Sequence, residues 1–131
     1  MHRILLIDDD AAVSAAMQLI LEHDGYAVSC ASGGEAGLAL LAEKEFDLAI
    51  VDIFMPGLSG LDTIALIRER APHLPVIAAS GTAARADKSG AGVDVLAKAT
   101  ALGTSAVINK PFRPRDLIAV IERCLPSTVA G

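Results

Sequence analysis

Three acidic residues in a row, Asp8-Asp9-Asp10, close the apolar run Ile4-Leu5-Leu6-Ile7. A fourth, Asp52, closes a second run, Leu48-Ala49-Ile50-Val51. Ser80 closes a third, which starts at Pro75, and Lys110 follows Ala106-Val107-Ile108 through Asn109. Carboxylates, a hydroxyl and an amine therefore stand where apolar runs stop. If the runs are parallel strands, these groups leave the sheet at one edge and converge. Mg²⁺ is a hard cation that takes one or two carboxylates plus a phosphate and keeps several waters. Asp8, Asp9 and Asp52 are the candidate ligands, and Asp10 suits the N-cap of the first helix. A lone acid there would only complement the helix dipole; three beside a fourth point to a cation. Asp52 is also a candidate nucleophile, because a carboxylate can attack a phosphoryl group to form an acyl phosphate. Such a transfer needs mainly positioning and charge neutralisation. Lys110 would add a positive charge, and the Ser80 hydroxyl can hydrogen-bond a phosphate oxygen.

The elements that must position these groups alternate along the chain. Arg3 to Ile7, Tyr26 to Cys30, Asp47 to Val51, Pro75 to Ala79 and Ala106 to Ile108 read as strands. Ala11 to Asp24 reads as a helix stopped by Gly25. Gly33 to Lys44 reads as another, with Ser32 as N-cap and Glu35 at the capping-box position. Gly60 to Ala71, Val93 to Leu102 and Pro114 to Leu125 complete the helices, and 81–92 forms a loop of small residues. Unbroken apolar strands linked by helices argue a parallel sheet covered on both faces. Ligands bind such sheets outside the carboxyl ends of the strands, where strand order reverses.

Bulk properties narrow the function. The 131 residues make one domain, with 53% apolar residues but only 3% aromatics, so the core is aliphatic. A net charge of −5 opposes general nucleic-acid binding, which needs a basic face. No apolar run reaches the roughly 20 residues of a membrane span, and Met1-His2-Arg3 runs straight into a strand without a leader-like segment. A cytoplasmic protein without membrane contact is expected. Cys30 and Cys124 suit free thiols rather than a disulfide framework or metal knuckle.

Together, Ile4 to Asp9, Asp52 with Met55-Pro56-Gly57 and Gly60, Pro75 to Ser80, and Lys110-Pro111-Phe112 resemble the receiver domain of two-component response regulators. The likeness is to the chemotaxis-regulator type and runs from Arg3 to about Leu125. It implies a flavodoxin-like, doubly wound (βα)₅ fold with strand order 2-1-3-4-5. Residues 1–125 would be the receiver domain and 126–131 a short tail, with no output domain following. In the family, the Asp matching Asp52 accepts a phosphoryl group from a phosphohistidine. The implied donor is a histidine kinase or histidine phosphotransfer protein, and the output is binding to an unnamed protein target. The pair matching Asp8 and Asp9 holds Mg²⁺, assisted by the backbone carbonyl two residues after the acceptor, here Phe54. Residues matching Ser80 and Lys110 contact the phosphate and couple it to a conformational switch. The resemblance thus implies a phosphoacceptor rather than an enzyme in the usual sense.

Three positions depart from the family pattern. Val107 replaces the often aromatic residue three before the lysine. Phe54 stands where a polar residue is common, and the stretch from Ser80 to Lys110 is longer than usual, the excess falling in 81–92. Phe54 also argues against a haloacid-dehalogenase-type phosphatase, which needs an acid there. A flavodoxin needs a phosphate loop where this chain has Asp8-Asp9-Asp10, and a dinucleotide fold needs G-x-G-x-x-G there. The surviving alternative is a receiver-like adaptor that is never phosphorylated. In the first helix, Ser14, Gln18 and Glu22 are the only polar residues from Ala11 to Glu22 and form one narrow stripe. Either the remaining surface tolerates alanines, or it is a docking face for a helical phosphodonor.

Overall fold

The computed structural model describes residues 2–53, 60–80, 100–109 and 112–125. Its elements run β1 Arg3–Ile7, α1 Ala11–His23, β2 Ala27–Ala31, α2 Gly34–Glu43, β3 Leu48–Asp52, α3 Gly60–Arg70, β4 Val76–Ser80, β5 Ala106–Asn109 and α4 Pro114–Cys124. All neighbouring strands pair in parallel, in the order β2-β1-β3-β4-β5. This is the flavodoxin-like doubly wound sheet expected. Strand order reverses between β1 and β3, so the crevice at their carboxyl ends is the favoured ligand position.

Side chains alternate across the strands and build two cores. Leu5, Ile7, Val51 and Ala78 pack with Ile64 and Ile67 on the face covered by α2 and α3. Ile4, Leu6, Ile50 and Ile77 pack with Met17, Leu21, Leu117 and Ile121 on the face covered by α1 and α4. Each large aliphatic side chain buried this way contributes about 1.5–3 kcal/mol. The central strands are covered on both faces, which explains their unbroken apolar sequence.

Several boundaries differ from the expectation. β2, β3, β4 and β5 each run one residue past the expected end, stopping at Ala31, Asp52, Ser80 and Asn109. The ladder is made by the backbone, which continues while its N–H and C=O groups find partners. Asp52 pairs with Ala79, and Ser80 with Asn109. Ser32 is not the N-cap of α2. Gly33 holds that place with no side-chain cap bond, and Glu35 sits in the first turn, where it complements the dipole. Asp10 does cap α1, accepting from the N–H groups of Ala12 and Val13 at 3.0 and 3.2 Å. Gly25 ends α1 at φ +93, a conformation that glycine adopts without strain. Gly103, at φ +84, closes a turn onto the Thr100 carbonyl. The start of the helix expected over 93–102 and the loop 81–92 lie outside the described residues.

The amino-terminal ends of the strands form the opposite pole. There Asp47 accepts from the Arg3 N–H at 2.7 Å and lies 3.6 Å from His2 Nδ1. The His2 ring stands 6.4 Å from that of Tyr26.

Candidate metal and phosphoryl-acceptor site

β1 and β3 are adjacent, with Ile7 opposite Val51. Asp8 leaves β1 directly after that pair, and Asp52 is the next residue of β3. The loop into α1 brings Asp9 to the same place. Carboxylate oxygens of Asp8, Asp9 and Asp52 lie within 4.8 Å of one another. Asp8 and Asp52 are buried, at 2% and 7% exposure, while Asp9 faces solvent. Like charges this close repel strongly where little water screens them. Oxygen donors around one point suit a hard divalent cation such as Mg²⁺.

The frame around Asp8 is tightly bonded. Its N–H donates to the Ala31 carbonyl at 3.1 Å, and its Oδ1 accepts from the Asp10 N–H at 2.9 Å. The Ser14 hydroxyl donates to the Asp8 carbonyl at 3.4 Å, a long bond by the usual standard. The backbone beyond Asp52 is held too, with the Ile53 N–H donating to the Ala79 carbonyl at 3.0 Å. These bonds fix two carboxylates on a rigid sheet edge.

Ser80 is fully buried at the end of β4, and its hydroxyl has no hydrogen-bond partner among the described residues. The strand pleat aligns it with Val76 and Ala78, on the face under α3. Asp52 aligns with Leu48 and Ile50, on the other face. The structure therefore brings Asp8, Asp9 and Asp52 together and places Ser80 at the end of the neighbouring strand. Phe54 and Lys110 lie outside the described residues; Lys110 directly follows Asn109, the partner of Ser80. A cleft of about 940 Å³ lies at the opposite pole, lined by Lys44, Asp47, Arg70 and His73, remote from the acidic cluster.

The polar stripe of α1 runs from buried Ser14 through half-buried Gln18 to exposed Glu22. Ser14, Met17 and Leu21 are buried. Gln18 accepts from the Cys30 thiol at 3.4 Å and donates to Glu22 at 3.2 Å. Alanines 11, 12, 15 and 16 and Leu19 are exposed instead, Leu19 at 70%. The spacing 14, 17, 21 is the i, i+3, i+7 pattern of a buried face, the signal that places Ser14 inside.

A doubly wound parallel sheet with three carboxylates at its switch point makes an acidic site suited to a cation. The chain belongs to the response regulator receiver domain family, whose model matches residues 4–122. It is 32% identical over 122 residues to the uncharacterized transcriptional regulatory protein YkoG of Bacillus subtilis (strain 168), covering 93% of this chain and 50% of that one. The chain thus spans about half the length of this relative. Among solved structures, a CheY-like receiver domain protein from Methanospirillum hungatei is 30% identical, with TM-score 0.83 and coverage of 94% and 92%. Response regulator protein TrrA from Thermotoga maritima, in complex with Mg²⁺ and BeF, is 27% identical, with TM-score 0.76 and coverage of 95% and 100%. Among the described residues, no helix is long and apolar enough to cross a membrane.

Proposed function

We propose that Asp52 accepts a phosphoryl group from a phosphohistidine, on a histidine kinase or a histidine phosphotransfer protein, in a Mg²⁺-dependent step. The observation that carries this reading is the near-buried Asp52 carboxylate facing Asp8 and Asp9 within 4.8 Å. In the transfer, the donor N–P bond breaks as an Asp52 O–P bond forms, and the imidazole leaves with the electron pair. The donor set fits Mg²⁺, with Asp9 and Asp52 as direct ligands, Asp8 acting mainly through water, and the Phe54 carbonyl as a further ligand. Bound there, Mg²⁺ would neutralise charge building on the phosphoryl oxygens. Lys110 adds a second positive charge. The buried Ser80 hydroxyl, lacking a partner among the described residues, donates to a phosphoryl oxygen once one is present.

Residues 1–125 act as the receiver unit, with 126–131 a tail. The donor docks on the exposed alanines and Leu19 of α1, a smooth apolar face that begins beside Asp9. Output passes to a protein target, in the cytoplasm and without membrane contact. With a net charge of −5, these residues do not contact nucleic acid themselves.

Incubation with acetyl phosphate and Mg²⁺, followed by intact-mass measurement, tests the reading. The native chain should gain one phosphoryl group, and Asp52→Asn none. An unchanged yield in Asp52→Asn would refute Asp52 as acceptor. No modification of the native chain by any phosphodonor would favour the adaptor reading.

A further inference from the structure

Gly60 opens α3 and is buried. A methyl group on its α-carbon would overlap the Ile53 α-carbon and the Asp52 carbonyl group, all of them main-chain atoms. The first turn of α3 therefore rests directly on the Asp52–Ile53 peptide. That peptide has little room to retreat. Asp52 pairs with Ala79 in the ladder, and the Ile53 N–H is bonded to the Ala79 carbonyl at 3.0 Å. The strand end is held between β4 on one side and the start of α3 on another.

Gly37 offers a contrast at the same pole. A methyl group there would meet the end of the Ile7 side chain. A side chain can change rotamer to make room, whereas a strand backbone moves only with its ladder. Both substitutions crowd the fold, but only the one at residue 60 presses on the acceptor's own backbone.

We propose that Gly60 is a positioning residue for the acceptor: its bare α-carbon lets α3 seat against the Asp52–Ile53 peptide and so sets where the Asp52 carboxylate stands relative to Asp8 and Asp9. This rests on the reading of Asp52 as acceptor. A displacement near 1 Å is enough to spoil a metal or transfer site. Residue 60 thus acts on the chemistry without touching phosphate or cation.

The test compares Gly60→Ala with Gly37→Ala, the latter as a packing control. Both should melt lower than the native chain. Gly60→Ala should bind Mg²⁺ at least tenfold more weakly and react more slowly with acetyl phosphate even at saturating Mg²⁺. Gly37→Ala should keep its Mg²⁺ affinity within about twofold. A folded Gly60→Ala with native Mg²⁺ affinity and rate would overturn the proposal, as would an equal loss of affinity in both variants. Hydrogen exchange on the native chain serves even if Gly60→Ala does not fold. Added Mg²⁺ should slow exchange at the Ile53 amide and at amides 61–64 together. Protection at Ile53 alone would show that the contact transmits nothing. Failure of the acceptor reading looks different: the native chain would then bind Mg²⁺ but take no phosphoryl group, while the Mg²⁺ and exchange readouts still judge Gly60.

Discussion

Removing the charge of Asp52 should stabilise the metal-free protein. At 4.8 Å and an effective dielectric near 20, two carboxylates repel by about 3.5 kcal/mol. Asp52 faces two such neighbours. The share from Asp9 shrinks because that side chain is exposed and screened by salt. Asp52 also has other interactions in its surroundings, which an amide reproduces only partly and which return some of the gain. A net stabilisation of roughly 1–3 kcal/mol remains for Asp52→Asn, which raises the melting temperature by roughly 3–10 °C in a chain this size. The assay is thermal and urea denaturation followed by circular dichroism, in chelator and then in excess Mg²⁺. Saturation at a hundred times the dissociation constant stabilises the native chain by about 2.7 kcal/mol. Because the variant binds the cation poorly, its advantage should shrink or invert. An Asp52→Asn that melts at or below the native chain in chelator would refute the reasoning. Mutual repulsion would then not be the dominant contribution of the Asp52 charge to the metal-free fold.

Ser80→Ala should raise metal-free stability by up to about 1–2 kcal/mol, since it deletes a buried hydroxyl lacking a partner among the described residues; urea denaturation checks this, and the same variant should slow modification by acetyl phosphate. Asp10→Ala should cost about 1 kcal/mol by uncapping α1 while leaving Mg²⁺ affinity nearly unchanged, read by melting and by titration. Partial burial and the nearby Glu22 push the Cys30 thiol above its ordinary range, so less thiolate is present near neutral pH. Alkylation of Cys30 should therefore be slow for an exposed thiol and accelerate as pH rises. Glu22→Gln, which removes the raising charge, should speed it.

Much of the site was legible because each apolar run ends in the group that does chemistry. A parallel sheet collects such ends at one edge, so Asp8, Asp9 and Asp52 meet without any local sequence link. The strand ends were less legible. Reading stopped at Val51 and Ala79, where apolarity stops, but ladder bonds carry Asp52 and Ser80 into the strands. That places the candidate acceptor within the sheet and not on a loose turn. The surface of α1 was legible only as a choice between two readings, because alanine is neutral between core and solvent. Packing places Met17 and Leu21 in the interior and carries Ser14 in with them, while Ala11, Ala12, Ala15 and Ala16 stay exposed. Ser32 lost the cap because α2 begins one residue later than its polar signal. The contact between Gly60 and the Asp52–Ile53 peptide has no one-dimensional trace, since a glycine beside a helix start reads equally well as a turn.

The position of Tyr26 makes the molecule optically quiet where the chemistry lies. The chain has one tyrosine and no tryptophan. Tyr26 precedes β2 beside His2, a strand's length from the acidic cluster, about 16 Å at 3.3 Å per residue. Cation or phosphoryl binding at the far end should leave native ultraviolet emission almost unchanged. A single tryptophan introduced near the carboxyl ends of the strands, excited to the red of tyrosine absorption, would then report on the site with no competing tryptophan to remove first.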